Sequence, residues 1–346
     1  MKAIRINQPF NESLRELLRS LLEKGKVGAV FALTRIGSGY SYTLITDPKL
    51  LDQITPIDPY MPVGGGKMLS RLTMIEPLTQ PIAAVIRPCE LRSLYELVKL
   101  EQANLDNLLI ISLTCPGVRP IRGLATDRGE TLRECCQICD RFIPEKSDLT
   151  LLCAGEDGNV STILINTEQG ERFLEGLPFD YVEAELKVPE GLKESRKKKR
   201  QETFSRLKPE DLGMEGLINI FGRCIGCHAC GRACPICYCN LCYFDSEESE
   251  SHPKELATDL ELKGALRLPT NTIFYHLGRM IHVSLSCVGC GMCSDVCPVE
   301  IPVGTIFTRI AESGQKLFDY IPGRDLEEKL PTSTFKIEEL KDLGEA

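Results

Sequence analysis

The chain has 346 residues, 42% of them hydrophobic and 26% charged, and its 41 basic and 49 acidic side chains leave a net charge of −8. That length implies two or three domains with a sizeable core, and the acidic balance argues against a nucleic-acid partner. No apolar run reaches the length of a membrane span, and the polar opening from Met1 to Phe10 lacks the apolar core of a signal peptide, so a cytoplasmic protein is expected.

Leu14, Leu17, Leu18, Leu21 and Leu22 recur at helical spacing and predict a helix over 11–24. Strands are predicted over 27–33 and 40–45, separated by Gly37-Ser38-Gly39. Residues 62–67 read PVGGGK. Three glycines and a lysine could bring backbone amides to a phosphate. The G-x4-G-K-S/T frame of a P-loop is absent, and a flexible loop is the plainer reading. A strand over 82–86, a helix over 90–100 and a strand over 108–113 make a βαβ unit, which favours parallel pairing in an α/β layer. Residues 87–92, RPCELR, fall where that strand passes into the helix. Ligands tend to sit at this point of an α/β layer, and Arg87 and Arg92 could meet an anionic group there. Strands over 151–154 and 161–165 and a helix over 167–175 continue the series.

Composition shifts near residue 190. Residues 193–200 read KESRKKKR, and the charged stretch continues to about 215. The segment reads as a solvated linker or helix face, or as a contact for an acidic partner or nucleic acid. The expected organisation is an α/β domain over 1–190, a charged linker over 191–215, a second domain over 216–320 and a peripheral tail over 321–346.

Seventeen cysteines set the chemistry: six lie before residue 154 and eleven between 224 and 297. Residues 224–235 (CIGCHACGRACP) and 287–298 (CVGCGMCSDVCP) are two copies of C-x2-C-x2-C-x3-C-P. That is the bacterial spacing for [4Fe–4S] ligation, in which the fourth cysteine serves the other cluster. One cluster is therefore assigned to Cys224, Cys227, Cys230 and Cys297, and the other to Cys287, Cys290, Cys293 and Cys234. Gly226, Gly289 and Gly291 suit the tight backbone beside the sulfurs. Zinc needs four ligands per site, usually two C-x2-C pairs, and explains the repeat less well. A zinc-stabilised interaction protein is the rival from another class. Neither cluster lacks a ligand, so the pair suits electron relay.

Helices are predicted over 256–266 and 273–283. Cys237, Cys239 and Cys242 either hold another metal, tune a potential or pack as small side chains. Cys135, Cys136 and Cys139, with Cys89 or Cys115, offer a further cluster site. His228 reads as an exposed residue, as a donor to a cluster sulfur or as a proton carrier at a partner surface. His252, His276 and His282 show no ligand spacing.

The runs VIRPCELRSLYELVKL, CQICD and STILINTEQGERFLE resemble the coenzyme F420 hydrogenase/dehydrogenase beta-subunit family. That resemblance implies a protein that binds FAD and exchanges electrons between iron–sulfur clusters and a diffusible hydride carrier. Gly64, Gly65, Gly66, Lys67, Arg87, Cys89 and Arg92 are the candidate cofactor-binding residues. The cysteine-rich segment also resembles the A-type component of anaerobic sulfite reductase and the beta component of sulfhydrogenase, which implies a flavin-free relay. The expected fold is an α/β N-terminal domain followed by a mainly helical ferredoxin-like domain with two [4Fe–4S] clusters. The expected function is electron transfer between a carrier (F420, NAD(P)H or ferredoxin) and a catalytic oxidoreductase partner in a hetero-oligomeric complex. Hydrogenase, formate dehydrogenase, sulfite reductase and heterodisulfide-reductase types are the candidate partners.

Overall fold

The computed structural model describes residues 1–123, 131–154, 158–186, 188–208, 211, 213–249, 253–264 and 270–335. Strand β1 (Lys2–Ile6) leads into helix α1 (Phe10–Glu23), whose Leu14, Leu17, Leu18 and Leu21 are all buried. Each such leucine contributes about 1.5–3 kcal/mol on burial. The two predicted strands, β2 (Ala29–Ile36) and β3 (Gly39–Ile45), pair antiparallel as a hairpin. Helix α2 (Gly65–Thr73) then begins inside the glycine run, where the sequence suggested a loop. Strand β4 (Ile82–Val85), helix α3 (Pro88–Lys99) and strand β5 (Leu108–Leu113) form the predicted βαβ unit, and the strands pair in parallel from Ile82↔Leu108 to Val85↔Ile111.

A short helix α4 (Glu134–Gln137), strands β6 (Leu149–Leu151) and β7 (Ser161–Ile165), helix α5 (Glu168–Leu174) and strand β8 (Asp180–Glu183) complete the sheet region. The eight strands run in the order β3-β2-β4-β5-β6-β7-β1-β8. Strands β2, β4, β5 and β6 are mutually parallel, and the outer pairings are antiparallel. The central strands are largely apolar, with Thr34, Ser112 and Thr150 the buried polar exceptions, as expected where both faces are covered. Val30, Ala83, Val85, Leu109 and Ile111 face α1 and α5, while Phe31, Ile82, Ala84 and Ile110 face α2 and α3.

The charged segment after residue 190 is helix α6 (Glu190–Arg206), and it packs against the body of the protein. Arg196 is buried and donates to the carbonyl of Pro116 at 2.7 Å, with its guanidinium over the Phe142 ring. Arg200 reaches the Ile138 carbonyl and Glu312. The basic run thus has one solvated face and one face of arginines drawn inward by carbonyls and carboxylates.

The cysteine-rich part contains helices α7 (Gly213–Phe221), α8 (Ala229–Ala233), α9 (Pro253–Lys263), α10 (Thr270–Val283), α11 (Met292–Asp295) and α12 (Val303–Leu317). Its core mixes cysteines with Phe221, Ile236, Tyr275, Val283, Ile306 and Phe307. The segment from residue 321, expected at the periphery, docks on α3: buried Glu96 accepts from the Tyr320 hydroxyl (2.6 Å) and the Gly323 amide (2.8 Å). A buried carboxylate needs such donors. Residues 336–346 of that tail, and His252, lie outside the described residues. None of the described helices is long and apolar enough to cross a membrane.

Candidate metal centre

The two cysteine repeats fold alike. In each, a glycine after the first cysteine takes a left-handed backbone, Gly226 at φ 67° and Gly289 at φ 67°. The next left-handed position holds His228 in the first copy (φ 54°) and Gly291 in the second (φ 73°), and each caps the short helix that follows, α8 or α11. This turn aims amides at sulfur. Gly226 N donates to Cys224 Sγ at 3.4 Å, and Ile301 N donates to Cys297 Sγ at 3.4 Å. The Gly289 and Met292 amides do the same for Cys287 and Cys290. Such N–H···S bonds are the usual means of tuning a cluster.

The eight thiols sort into two groups that cross between the repeats. Cys224 is within electrostatic reach of Cys227, Cys230 and the distant Cys297. Cys234, from the first repeat, instead joins Cys287, Cys290 and Cys293, and these four line one cavity walled by Pro235, Ile236, Val283, Val288 and Phe307. Burial above all pushes the Cys287 thiol up to about 11 and Cys290 up to about 12. Iron binding must therefore displace protons there. Cys234 is shifted the other way, because the Cys237 thiol donates to it. Among the described residues no three His, Cys, Asp or Glu side chains converge on a point suited to a single metal ion. Four sulfurs spread around an apolar cavity fit the corners of a cubane better than one zinc ion.

Arg279, on α10, is buried and donates to Cys230 Sγ and to the Cys230 carbonyl, both at 3.1 Å. The Tyr275 hydroxyl also meets Cys230 Sγ, at 3.4 Å. His228 is half-buried: its ring stacks on Tyr275 at 4.2 Å, and Nδ1 lies 3.1 Å from Asp245. His276 is buried against Phe221, while His282 is exposed. No sequence periodicity marked Arg279. Only its position four residues after Tyr275, one helical turn along α10, could have hinted at a shared face.

A third group of thiols gathers where the parallel strands end. Cys89 follows β4 and Cys115 follows β5, and both lie within electrostatic reach of Cys136, which in turn neighbours Cys139. Arg87 Nη1 points at Cys115 Sγ, 3.5 Å away. Cys135 faces elsewhere: its thiol turns to Thr305 Oγ1 at 3.9 Å, beneath Gly291 and Gly304. Cys89 and Cys136 pack with Cys290 around Met61, Val118 and Met292, so the third group adjoins the second repeat. The knot that the sequence presented as one unit is thus divided between the two halves of the protein.

The residues marked for a flavin stand as interior contacts. Gly65 N donates to buried Glu90 at 2.6 Å, and a Cβ on Gly66 would strike the Glu90 carbonyl, so Gly66 forms the close crossing of α2 over α3, while Gly64 is clear of any neighbour. Arg87 is buried and donates to the Asp58 carbonyl, Arg92 donates to Val288 O at 3.0 Å, and Cys89 belongs to the thiol group above. Lys67 Nζ donates to the carbonyls of Arg232, Cys234 and Cys237. Gly65, Gly66 and the buried arginines are taken up by these interior contacts, and Gly64, with open space beside it, makes no phosphate cradle without them, so the set does not fit the group. Cys237, Cys239 and Cys242 border a cavity of about 390 Å³ between α2 and the first repeat.

Fold and thiols together define an iron–sulfur protein with a mixed α/β sheet region and a 4Fe–4S dicluster domain. Residues 223–301 match the 4Fe-4S dicluster domain family, and residues 124–187 match the family described as the C terminus of the coenzyme F420 hydrogenase/dehydrogenase beta subunit. The F420-dependent formate dehydrogenase subunit beta of Methanocaldococcus jannaschii is 27% identical, over 89% of this chain and 90% of its own length. The F420-dependent formate dehydrogenase 1 subunit beta of Methanococcus maripaludis is 29% identical, over 89% of each. One chain of the F420-reducing [NiFe] hydrogenase complex of Methanosarcina barkeri aligns with 62% of this chain and 94% of its own, at 11% identity and a TM-score of 0.44. With the two formate dehydrogenase relatives, the resemblance to the F420 hydrogenase/dehydrogenase beta-subunit family extends over most of this chain.

Proposed function

We propose that this chain is the iron–sulfur electron-transfer subunit of a hetero-oligomeric oxidoreductase. It would pass electrons between a redox carrier and a catalytic partner of the formate dehydrogenase or hydrogenase type. The observation that carries the reading is the crossing of Cys234 and Cys297 between the two repeats. It provides two four-thiol sets within one apolar core, each suited to a [4Fe–4S] cluster. The names of the relatives support F420 as the first carrier to test, with NAD(P)H and ferredoxin next.

Cys89, Cys115, Cys136 and Cys139 would hold a further cluster beside Cys290, extending the relay toward the carboxyl ends of the parallel strands, where α/β proteins bind ligands. Clusters exchange one electron at a time, and this chain's residues would keep them dry, spaced and hydrogen-bonded. The flavin implied by family resemblance has no cradle at residues 64–67, 87, 89 and 92, and no step is assigned to it.

Iron, sulfide and flavin content of protein purified without oxygen tests this. About eight irons fit the two crossed sets, and about twelve fit all three. Cys230→Ala should remove about four irons, whereas Cys242→Ala should remove none. Zinc with little iron would overturn the reading.

A further inference from the structure

Three cations stand against the cysteine loops through carbonyl and sulfur contacts, joined at Arg279 by the Tyr275 and Phe307 rings. Lys67 Nζ is 2.7 Å from the Cys234 carbonyl, 2.8 Å from that of Arg232 and 3.0 Å from that of Cys237. Arg92 binds the Val288 carbonyl between Cys287 and Gly289, and its Nε is buried with no bonded partner. Arg279 holds Cys230 through sulfur and carbonyl together, and its Nε is likewise unbonded. Among the described residues none of the three has an Asp or Glu within ion-pair distance. The contrast lies next to them. Arg133 and Arg122 reach the same loops, at the Cys290 and Cys297 carbonyls, but each is paired with a carboxylate, Asp295 or Glu300.

Arg92 and Arg279 are buried and Lys67 is half-buried, and a cation so withdrawn from water is costly unless an opposite charge lies close by. A cubane held by four thiolates is net negative and gains one more negative charge on reduction. Cations at its ligand loops therefore favour the reduced form and raise its potential.

We propose that Lys67, Arg92 and Arg279 are the counter-cations that set the reduction potentials of the clusters. Lys67 and Arg92 act on the Cys234, Cys287, Cys290 and Cys293 set. Arg279 acts first on the set that includes Cys230, and it also lies within electrostatic reach of Cys234 and Cys293. Two of the three come from the α/β half, on α2 and α3. That half would then tune the relay as well as contact the carrier. This inference rests on the two-cluster reading above.

The test is a redox titration of the full, cluster-loaded chain, followed by electron paramagnetic resonance. Lys67→Met should lower the potential of the cluster held by Cys287, Cys290 and Cys293 and leave the other in place, and Lys67→Arg should restore it. Arg279→Gln should lower the Cys230 cluster most, with Arg279→Lys close to native. Unchanged potentials in Lys67→Met and Arg279→Gln at full iron content would overturn the proposal and leave these cations as mechanical latches. Should Arg279→Gln fail to load iron, the Lys67 pair decides alone. Fewer than about eight irons in the native chain would instead sink the two-cluster reading itself.

Discussion

His276 is fully enclosed beside Phe221, and neither ring nitrogen finds a partner among the described residues. Burial, with Arg279 nearby, holds its pKa down to about 3, against an ordinary 6.5. The unfolded chain therefore takes up a proton that the folded chain refuses. Stability from this residue is complete above the unfolded pKa and is lost as pH falls from about 6.5 toward 3. Between about pH 7 and pH 5 the loss is on the order of 2 kcal/mol. His276→Phe keeps the stack and removes the proton site. Its melting temperature should therefore fall less than the native chain's between those two pH values. An equal fall in both proteins would show that His276 is not the group responsible.

Helix α3 holds the segment around residues 320–323 through one carboxylate. Glu96 is buried and bonds Lys99 at 2.7 Å, the Tyr320 hydroxyl and the Gly323 amide. Gly323 takes a left-handed backbone at φ 72°, and a Cβ there would strike the backbone of Arg92. The segment therefore closes on α3 only because it has no side chain at that point. Glu96→Ala leaves buried Lys99 without its carboxylate, at a cost of about 3–5 kcal/mol. Tyr320→Phe removes a donor to Glu96 and an acceptor for Lys99 but leaves that ion pair in place, at about 1.5–3 kcal/mol. Thermal melting should rank the two in that order, and residues 321–335 should become protease-sensitive in the first. Native-like melting of Glu96→Ala would mean that the docking of this segment contributes little.

At the scale of the molecule, the α/β sheet and the dicluster region are not separable bodies. Lys67, Arg92, Arg122 and Arg133 from the first half all donate to carbonyls of the cysteine loops, and Arg200 on α6 reaches Glu312 on α12. Arg92 and Arg133 are buried, and breaking their contacts strips a buried cation of a partner, so the halves should lose structure together. Calorimetry of the loaded chain should give a single transition, shifted down by Asp295→Asn, which strips Arg133 of its carboxylate partner. Two transitions separated by tens of degrees would contradict this coupling.

What was legible in the sequence was whatever depends on local spacing. The leucines of α1, the β4-α3-β5 unit and the two cysteine repeats each repeat at the period of their own structure, so residue type and interval suffice. Strand β1 is five residues long and has no such signal of its own. It exists because β7 and β8 flank it. The glycine run at 64–66 reads as a flexible loop or a place for backbone amides to meet a phosphate, yet its Gly66 serves the close crossing of two helices, since a small residue satisfies any of these needs. By itself the sequence determined the chemistry of this protein, namely thiolates at cluster spacing in an acidic α/β-plus-helical chain. Only the tertiary structure decided which thiols meet across the repeats, where Cys135 parts from Cys136, and which cations face the sulfurs. Those pairings join residues up to nearly two hundred positions apart, and no local interval encodes them.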